Sequence, residues 1–415
     1  MKLNDIERAM QAGDMGPARQ WAIEQQIAVG NFFDADDLVE VNQVHMMADT
    51  ESLGESGVEF LERFANLPWE ERRCLVPTVT DPRGIDLESY KSLNQEEVFA
   101  ERERRAIKAF ESLSVMMTDT CINYQIIMPP VMGEHLAFGD TGSVIYTNGA
   151  LGARSNFEGG PAALAAALTG RVPRYGYHLD EKRRGTRLFE VAFEPKTLSD
   201  WGALGGVVGR RLESYWEVPV LEGITGRPNS DELKHFGAAL ASYGSVALYH
   251  IVGVTPEAPD TKTVFDGPLP AAEPITAANV ADFYKSFGVH EDKVDVVVFA
   301  APQLSLVETQ MLARTMEGKQ VHKETSLIAT LPPAVKADSD RMGYTATIEA
   351  AGGTVLQGVC FYQMYARETG EANGWKRLLS NSAKLVNIIQ GYGYEPVLAS
   401  MEDCVDAAVK GRMGS

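Results

Sequence analysis

The sequence predicts an α/β protein of several domains built on parallel sheets, and three observations carry that reading. Three apolar runs in the final third, VDVVVFAA (294–301), TSLIATL (325–331) and TVLQGVC (354–360), recur about every thirty residues with helical sequence between them. That is the period of βαβ units. A further run, VALYHIVGV (246–254), is continuously apolar and bounded by Gly244 and Pro256, as expected of a strand buried on both faces. Finally, residues 129–171 crowd Gly133, Gly139, Gly142, Gly149, Gly152, Gly159 and Gly160 among polar side chains. Such a backbone can turn sharply and approach a ligand closely.

Taken in order, the chain opens with a helix, and Gly16-Pro17 starts a second that Gly30 should stop. The segment 38–47 carries His45, which on its own reads equally as a core histidine. Residues 74–80 read as a short strand leading into the turn Asp81-Pro82-Arg83-Gly84, and polar residues just past a strand end often serve active sites in α/β folds. Asn94 and Glu97 predict a capping box for a helix with Phe99, Ala106, Phe110 and Leu113 on one face. SVMMTDTC (114–121) reads as a strand delivering Cys121. Gly159-Gly160-Pro161 followed by AALAAALTG predicts a helix with proline in its first turn and Gly170 past its end. Its free N–H groups and dipole suit an anion. LFEVAF (188–193) is strand-like. After the strand at 294–301, Ser305 and Glu308 box a helix running to Gly318, and SMEDCVDAAVKG (400–411) is a capped amphipathic helix holding Cys404. The expected division is 1–120, 121–285 and 286–415.

With 415 residues, 45% of them hydrophobic, the chain can bury more than one core. A net charge of −19 argues against wrapping nucleic acid or lying on an anionic membrane. No stretch has the length of a membrane span, and the N-terminus has no signal-peptide apolar region. The four cysteines, Cys74, Cys121, Cys360 and Cys404, show no CxxC pairing, which suits a reducing cytoplasm. GxGxxG after a strand, GxxxxGK[ST], HExxH and GxSxG are all missing, so nucleotide, zincin and α/β-hydrolase chemistry lose support.

Arg154, just before the predicted helix at Pro161, has the forked geometry to grip a carboxylate, which points to a small acidic substrate. The plainer alternative is an arginine paired on the surface. Glu134 and His135 read either as an acid–base pair or as a hydrogen-bonded turn, and Lys384 either as a second cationic contact or as a solvated side chain.

The stretch GEHLAFGDTGSVIYTNGALGARSNFEGGPAALAAALTGR resembles the signature of the large-subunit portion of the aconitase X family. The resemblance runs on through RVPRYGYHLDEKRRGTRLFEV (171–191), VPTVTDPRGIDL (76–87), TDTCINY (118–124), WGALGGVVG (201–209), SVALYHIVGVTPEAP (245–259) and SNSAKL (380–385). It implies an aconitase-like fold, several α/β domains around a central cleft, and a lyase that removes water from a small hydroxy acid such as a hydroxyproline-like or mevalonate-phosphate-like compound. Departure of hydroxide has a high barrier, and many members lower it with iron as a Lewis acid, while a general base takes the proton α to the carboxylate. By the same resemblance His45, Glu134, His135 and Lys384 are the candidate catalytic residues. Arg154, Ser155, Asn156, Gly160, Thr78 and Asp81 are the candidate substrate contacts.

The family holds its iron with three cysteines in three motifs. Cys121 and Cys360 match the first and third. The second motif resembles Gly-Cys-Pro-His, but here it reads Ala300-Ala301-Pro302-Gln303. Ala301 has no ligating atom, so a 4Fe–4S cluster is not expected, and iron in a mononuclear or degenerate iron–sulfur site is the form the resemblance leaves open. The architecture also implies a small swivelling domain, expected on a separate subunit. Two further readings stand beside this one: a metal-independent isomerase, cyclase or elimination enzyme on the same scaffold, and a non-catalytic subunit.

Overall fold

The structure, a computed structural model, describes residues 1–288 and 293–413. Its strands are β1 (Leu38–Glu40), β2 (Val44–Met46), β3 (Thr78–Thr80), β4 (Ala137–Phe138), β5 (Arg171–Pro173), β6 (Arg187–Ala192), β7 (Pro219–Glu222), β8 (His250–Ile251), β9 (Glu273–Thr276), β10 (Val296–Phe299), β11 (Ser326–Leu331), β12 (Thr354–Gln357), β13 (Arg377–Ser380) and β14 (Glu395–Leu398). They form parallel sheets of order β3-β2-β4, β8-β7-β6-β9 and β12-β11-β10-β13-β14, plus an antiparallel pair β1-β5.

The five-stranded sheet contains the three strands expected from the apolar runs, β10, β11 and β12, and adds β13 and β14. Val296, Val297, Val298 and Phe299 of the central strand are all 0% exposed, because helices cover both faces and leave no polar side to alternate with. Its strand order reverses between β10 and β13, and such a reversal opens a crevice at the carboxyl ends of those two strands. The segment after β10 is 300–303 and the segment after β13 is 381–384, so both sequence-singled motifs fall at that crevice. The helix Leu306–Met316 has the Ser305–Glu308 capping box expected of it.

Several local expectations are corrected. Asn94 does not cap the helix Glu97–Ser112; it sits at φ 56° ending the preceding turn, and its amide bonds Asn373. Residues 114–121 form no strand, only a bridge from Met116 to Val79, with Thr120 N–H donating to Thr80 O. The second helix passes Gly30 and ends at Phe32. Within 246–254 only His250–Ile251 is paired as a strand, although residues 246–251 are buried as expected. The division at 285/286 falls between the four- and five-stranded sheets. That at 120/121 cuts through one unit, since β4 pairs with β2 and β5 with β1.

The helix Pro161–Thr169 begins with proline in its first turn and ends at Gly170 in the left-handed region, φ 66°. Its body is apolar and buried on nearly all sides (Ala163 to Leu168), packed under β2. This burial fixes where its N-terminus points.

Candidate active site

The carboxyl ends of β2, β3 and β4 lie side by side. Asp81 N–H donates to Met46 O, and Gly139 N–H donates to His45 O, so Asp81 and Asp140 follow their strands onto one edge. The segment 154–158 runs parallel beside β4, with Phe157 opposite Phe138. That delivers Glu158, Gly159, Gly160 and the start of the Pro161 helix to the same edge. A Cβ built on Gly159 or Gly160 would meet nothing within 4 Å, so these two glycines border open space.

The five-stranded sheet faces this edge with its own strand ends. Lys384 Nζ donates to Asp140 Oδ1 at 3.0 Å, and it also lies 5.6 Å from the centre of the Tyr362 ring. Asp140 spends its other oxygen capping the next helix by accepting from Ser143 N–H. Against the pull of burial, Lys384 and the hydrogen bond from Ser143 N–H hold the Asp140 carboxyl below its usual range. Burial likewise works against the Lys384 ammonium, but Asp140 and the two nearby thiols outweigh it and keep Lys384 above its ordinary value. This is a buried ion pair joining two sheets.

His45 and Asp81 stand beside it. His45 Nε2 lies 2.8 Å from Thr120 O, a pure acceptor, so Nε2 carries the proton. It lies 3.5 Å from Asp81 Oδ1. Burial pushes the His45 imidazole below its usual value, leaving a neutral ring whose Nδ1 has no partner. Burial, reinforced by Asp140, pushes the Asp81 carboxyl well above its usual range. Gln363 Nε2 donates to Asp81 Oδ2 at 2.8 Å, while Asp81 Oδ1 and Gln363 Oε1 have no hydrogen-bond partner. An unpaired buried polar atom costs about 1–3 kcal/mol, and His45 Nδ1, Asp81 Oδ1 and Gln363 Oε1 gather at this one edge.

Cys121 and Cys360 close the floor. Both are buried, each feels the same neighbours Asp81, Asp140 and Lys384, and burial pushes Cys121 well up and Cys360 to about 12. Between their segments sits Gln303, 0% exposed. Its Nε2 donates to Asp119 O (3.2 Å) and Val359 O (3.1 Å), its Oε1 accepts from Cys121 N–H (3.3 Å), and its own N–H points to Cys121 Sγ (3.4 Å). Ala301 is buried with φ 53°, and Ser382 Oγ donates to its carbonyl at 2.5 Å across the crevice. Set against a three-thiolate iron site, the donor set falls short. Among the described residues no three His, Cys, Asp or Glu side chains are grouped to hold a metal, and the position of the missing thiolate is a methyl group.

The structure thus gathers His45, Asp81, Gly160, Cys121, Cys360 and Lys384, and leaves others elsewhere. Arg154 bridges to His135 at the opposite end of β4, about 10 Å of extended chain back from the site edge. It donates to His178 O and pairs with the exposed Asp180. His135 stacks on His178, with the two Nδ1 atoms 2.9 Å apart. Glu134 accepts from Gln43 and from Val131 N–H in a turn. Ser155 and Asn156 are spent on backbone: Ser155 Oγ on Phe138 N–H and Asn156 O, Asn156 on Tyr175 O and Tyr177 N–H. Thr78 Oγ1 donates to Val76 O, just upstream of its own strand. Asp140, Gln303 and Gln363 were not singled out from sequence as site residues. Asp140 had a signal, a capping DTGS immediately after a strand; Gln363 had none.

The whole chain can be placed among known proteins. It matches the descriptions Aconitase X first domain over 1–181, second domain over 185–285 and third domain over 294–410. It is 34% identical to the phosphomevalonate dehydratase large subunit of Methanothermobacter thermautotrophicus, over 94% of each chain. It is 28% identical to cis-3-hydroxy-L-proline dehydratase of Pseudomonas aeruginosa, over 99% of this chain and 70% of that protein. The crystal structure of Thermococcus kodakaraensis aconitase X in its holo-form superposes with a TM-score of 0.88 at 29% identity, covering 98% of this chain and all of that one. A site at the facing carboxyl ends of two parallel sheets and likeness along the full length lead to one assignment: the chain belongs to the aconitase X family of dehydratases.

Proposed function

We propose that this chain removes water from a small hydroxy acid at the cleft between the β2–β4 edge and the β10–β13 crevice, and that a small subunit closes the cleft over the substrate. The observation that carries the reading is the buried Lys384–Asp140 pair, which brings a cation from one sheet to the strand ends of another. Lys384 and the positive end of the Pro161 helix form the anion-binding side, where the substrate carboxylate binds. Asp81, held protonated by burial, gives its proton to the departing hydroxyl, which leaves as water. His45 Nδ1 takes the proton from the carbon α to the carboxylate, and the electrons of that C–H bond form the new double bond as the C–O bond breaks. The 3.5 Å between His45 Nε2 and Asp81 Oδ1 gives the proton a way back.

The relatives' names suggest phosphomevalonate and cis-3-hydroxy-L-proline as first compounds to try, and the name "large subunit" supports a small partner. A metal-independent elimination is the second reading, favoured by Ala301 and by the side chain of Gln303 lying where a ligand set would close. The test is to incubate the chain, alone and with a small subunit of an aconitase X relative, with both compounds and a panel of other small hydroxy acids, following loss of one water by mass spectrometry. Dehydration of one compound, slowed by about 10²–10³-fold in Lys384→Met, is the expected result. Conversion of a compound without loss of water, and of none with it, would discard the dehydratase reading for an isomerase or cyclase.

A further inference from the structure

We infer that Gln303 is a positioning residue that takes over the structural work of a third metal ligand, holding together the two thiol-bearing segments. It joins three pieces of chain that are distant in sequence. Asp119 O and Cys121 N–H belong to the segment beside β3, Val359 O belongs to the segment just past β12, and Gln303 itself follows β10. Every polar atom of its carboxamide has a partner, and the side chain is 0% exposed. A glutamine so fully engaged is a built clamp rather than a surface residue that drifted inward, since a buried amide costs free energy unless all its hydrogen bonds are made. In the Gly-Cys-Pro-His motif that residues 300–303 resemble, this position would carry histidine and the one two before it cysteine. Here the pair is Ala301 and Gln303, so a donor has become a methyl group while its neighbour has become a cross-brace. The two changes fit together: once a thiolate no longer pulls the strand ends onto a shared metal, something else must.

The inference rests on family membership and not on which hydroxy acid is dehydrated, and its test uses no activity. Wild type and Gln303→Met, a side chain of similar length without the amide, are treated with iodoacetamide under native conditions and the labelled cysteines mapped by mass spectrometry. Cys121 and Cys360 should be protected in wild type and labelled at least about tenfold faster in the variant, as expected when opening is made easier by about 1.4 kcal/mol or more. Cys74 and Cys404, which Gln303 does not touch, should stay protected in both. That selectivity separates loss of the clamp from general loosening. In a second arm, wild type and Ala301→Cys/Gln303→His are reconstituted anaerobically with iron and sulfide. Uptake only by the double variant is expected. Unchanged protection of Cys121 and Cys360 in Gln303→Met, or stoichiometric iron and sulfide bound by wild type, would each overturn the assignment.

Discussion

Lys384 Nζ lies 3.0 Å from Asp140 Oδ1, and both side chains are 2% exposed. The two residues follow strands of different sheets, 244 positions apart in the chain, so the pair ties the two sheets together and fixes the cation proposed above as the substrate's partner. Removing one partner leaves an unpaired buried charge, which costs about 3–5 kcal/mol. Lys384→Met should therefore lower the thermal midpoint sharply and reduce kcat/KM by about 10²–10³-fold, the range for losing one preorganised charge-stabilising group. Lys384→Met/Asp140→Asn should recover much of the stability but none of the activity. Equal activity in wild type and the double variant would remove Lys384 from the mechanism.

A second buried carboxyl makes stability depend on pH. Glu103, on the helix behind the turn Asp81–Gly84, accepts from Thr50 Oγ1 at 2.7 Å and Gly84 N–H at 3.2 Å, and its Oε1 has no partner. Burial pushes its carboxyl up to about 8, with Thr50 and Arg83 pulling the other way and Asp49 and Asp119 adding to the rise. A folded-state value above the unfolded one, about 4.3, gives a contribution fully present below pH of about 4.3 and lost as pH rises through about 8. Glu103→Gln should flatten that slope, so the variant gains on wild type between pH 5 and pH 8. Thermal midpoints of both proteins at the two pH values decide it: a gap that stays constant contradicts the argument.

Gly159 and Gly160 separate backbone need from open space. Gly160 has φ 50° and no neighbour within 4 Å of a built Cβ; Gly159 has the same open surroundings without a positive φ. Gly160→Ala should cost about 1–3 kcal/mol from backbone strain alone. Gly159→Leu should change stability by no more than about 0.5 kcal/mol while raising KM, because its side chain enters the space assigned to the substrate. An unchanged KM in Gly159→Leu would move the substrate away from this helix terminus.

Three strands of the five-stranded sheet, β10, β11 and β12, were legible because they are continuous apolar runs at a steady period, whereas β13 and β14 were not singled out. Cys121, Asp81 and Lys384 stood out because each follows a strand or matches a family motif. What stayed hidden depends on contacts between distant segments. Gln363 reaches Asp81 across 282 residues, and Gln303 reaches Asp119 across 184. A lone glutamine carries no periodicity, cap or ligand spacing to announce such a contact. Residues 114–121 misled in the opposite way. Their β-branched and apolar composition is strand-like, yet they face β3 through a single bridge and then turn to place Cys121.

Arg154 is where residue chemistry and geometry part. Its forked guanidinium beside a helix N-terminus predicts a carboxylate grip, and on that reading Arg154→Lys would weaken substrate binding although charge is kept. The structure turns the side chain to His178 O and Asp180, beside His135 and at the far end of β4 from Asp140. Asp180 is 78% exposed, so the pair is screened by solvent and worth about 0–1 kcal/mol. Arg154→Lys should leave KM and kcat within about twofold of wild type and lower stability by no more than about 1 kcal/mol. Steady-state kinetics on the hydroxy acid found for this enzyme provide the check. A large rise in KM with stability intact would mean that the substrate, or the closing subunit, reaches round to Arg154, and the anion-binding side would then have to be extended to that end of the sheet.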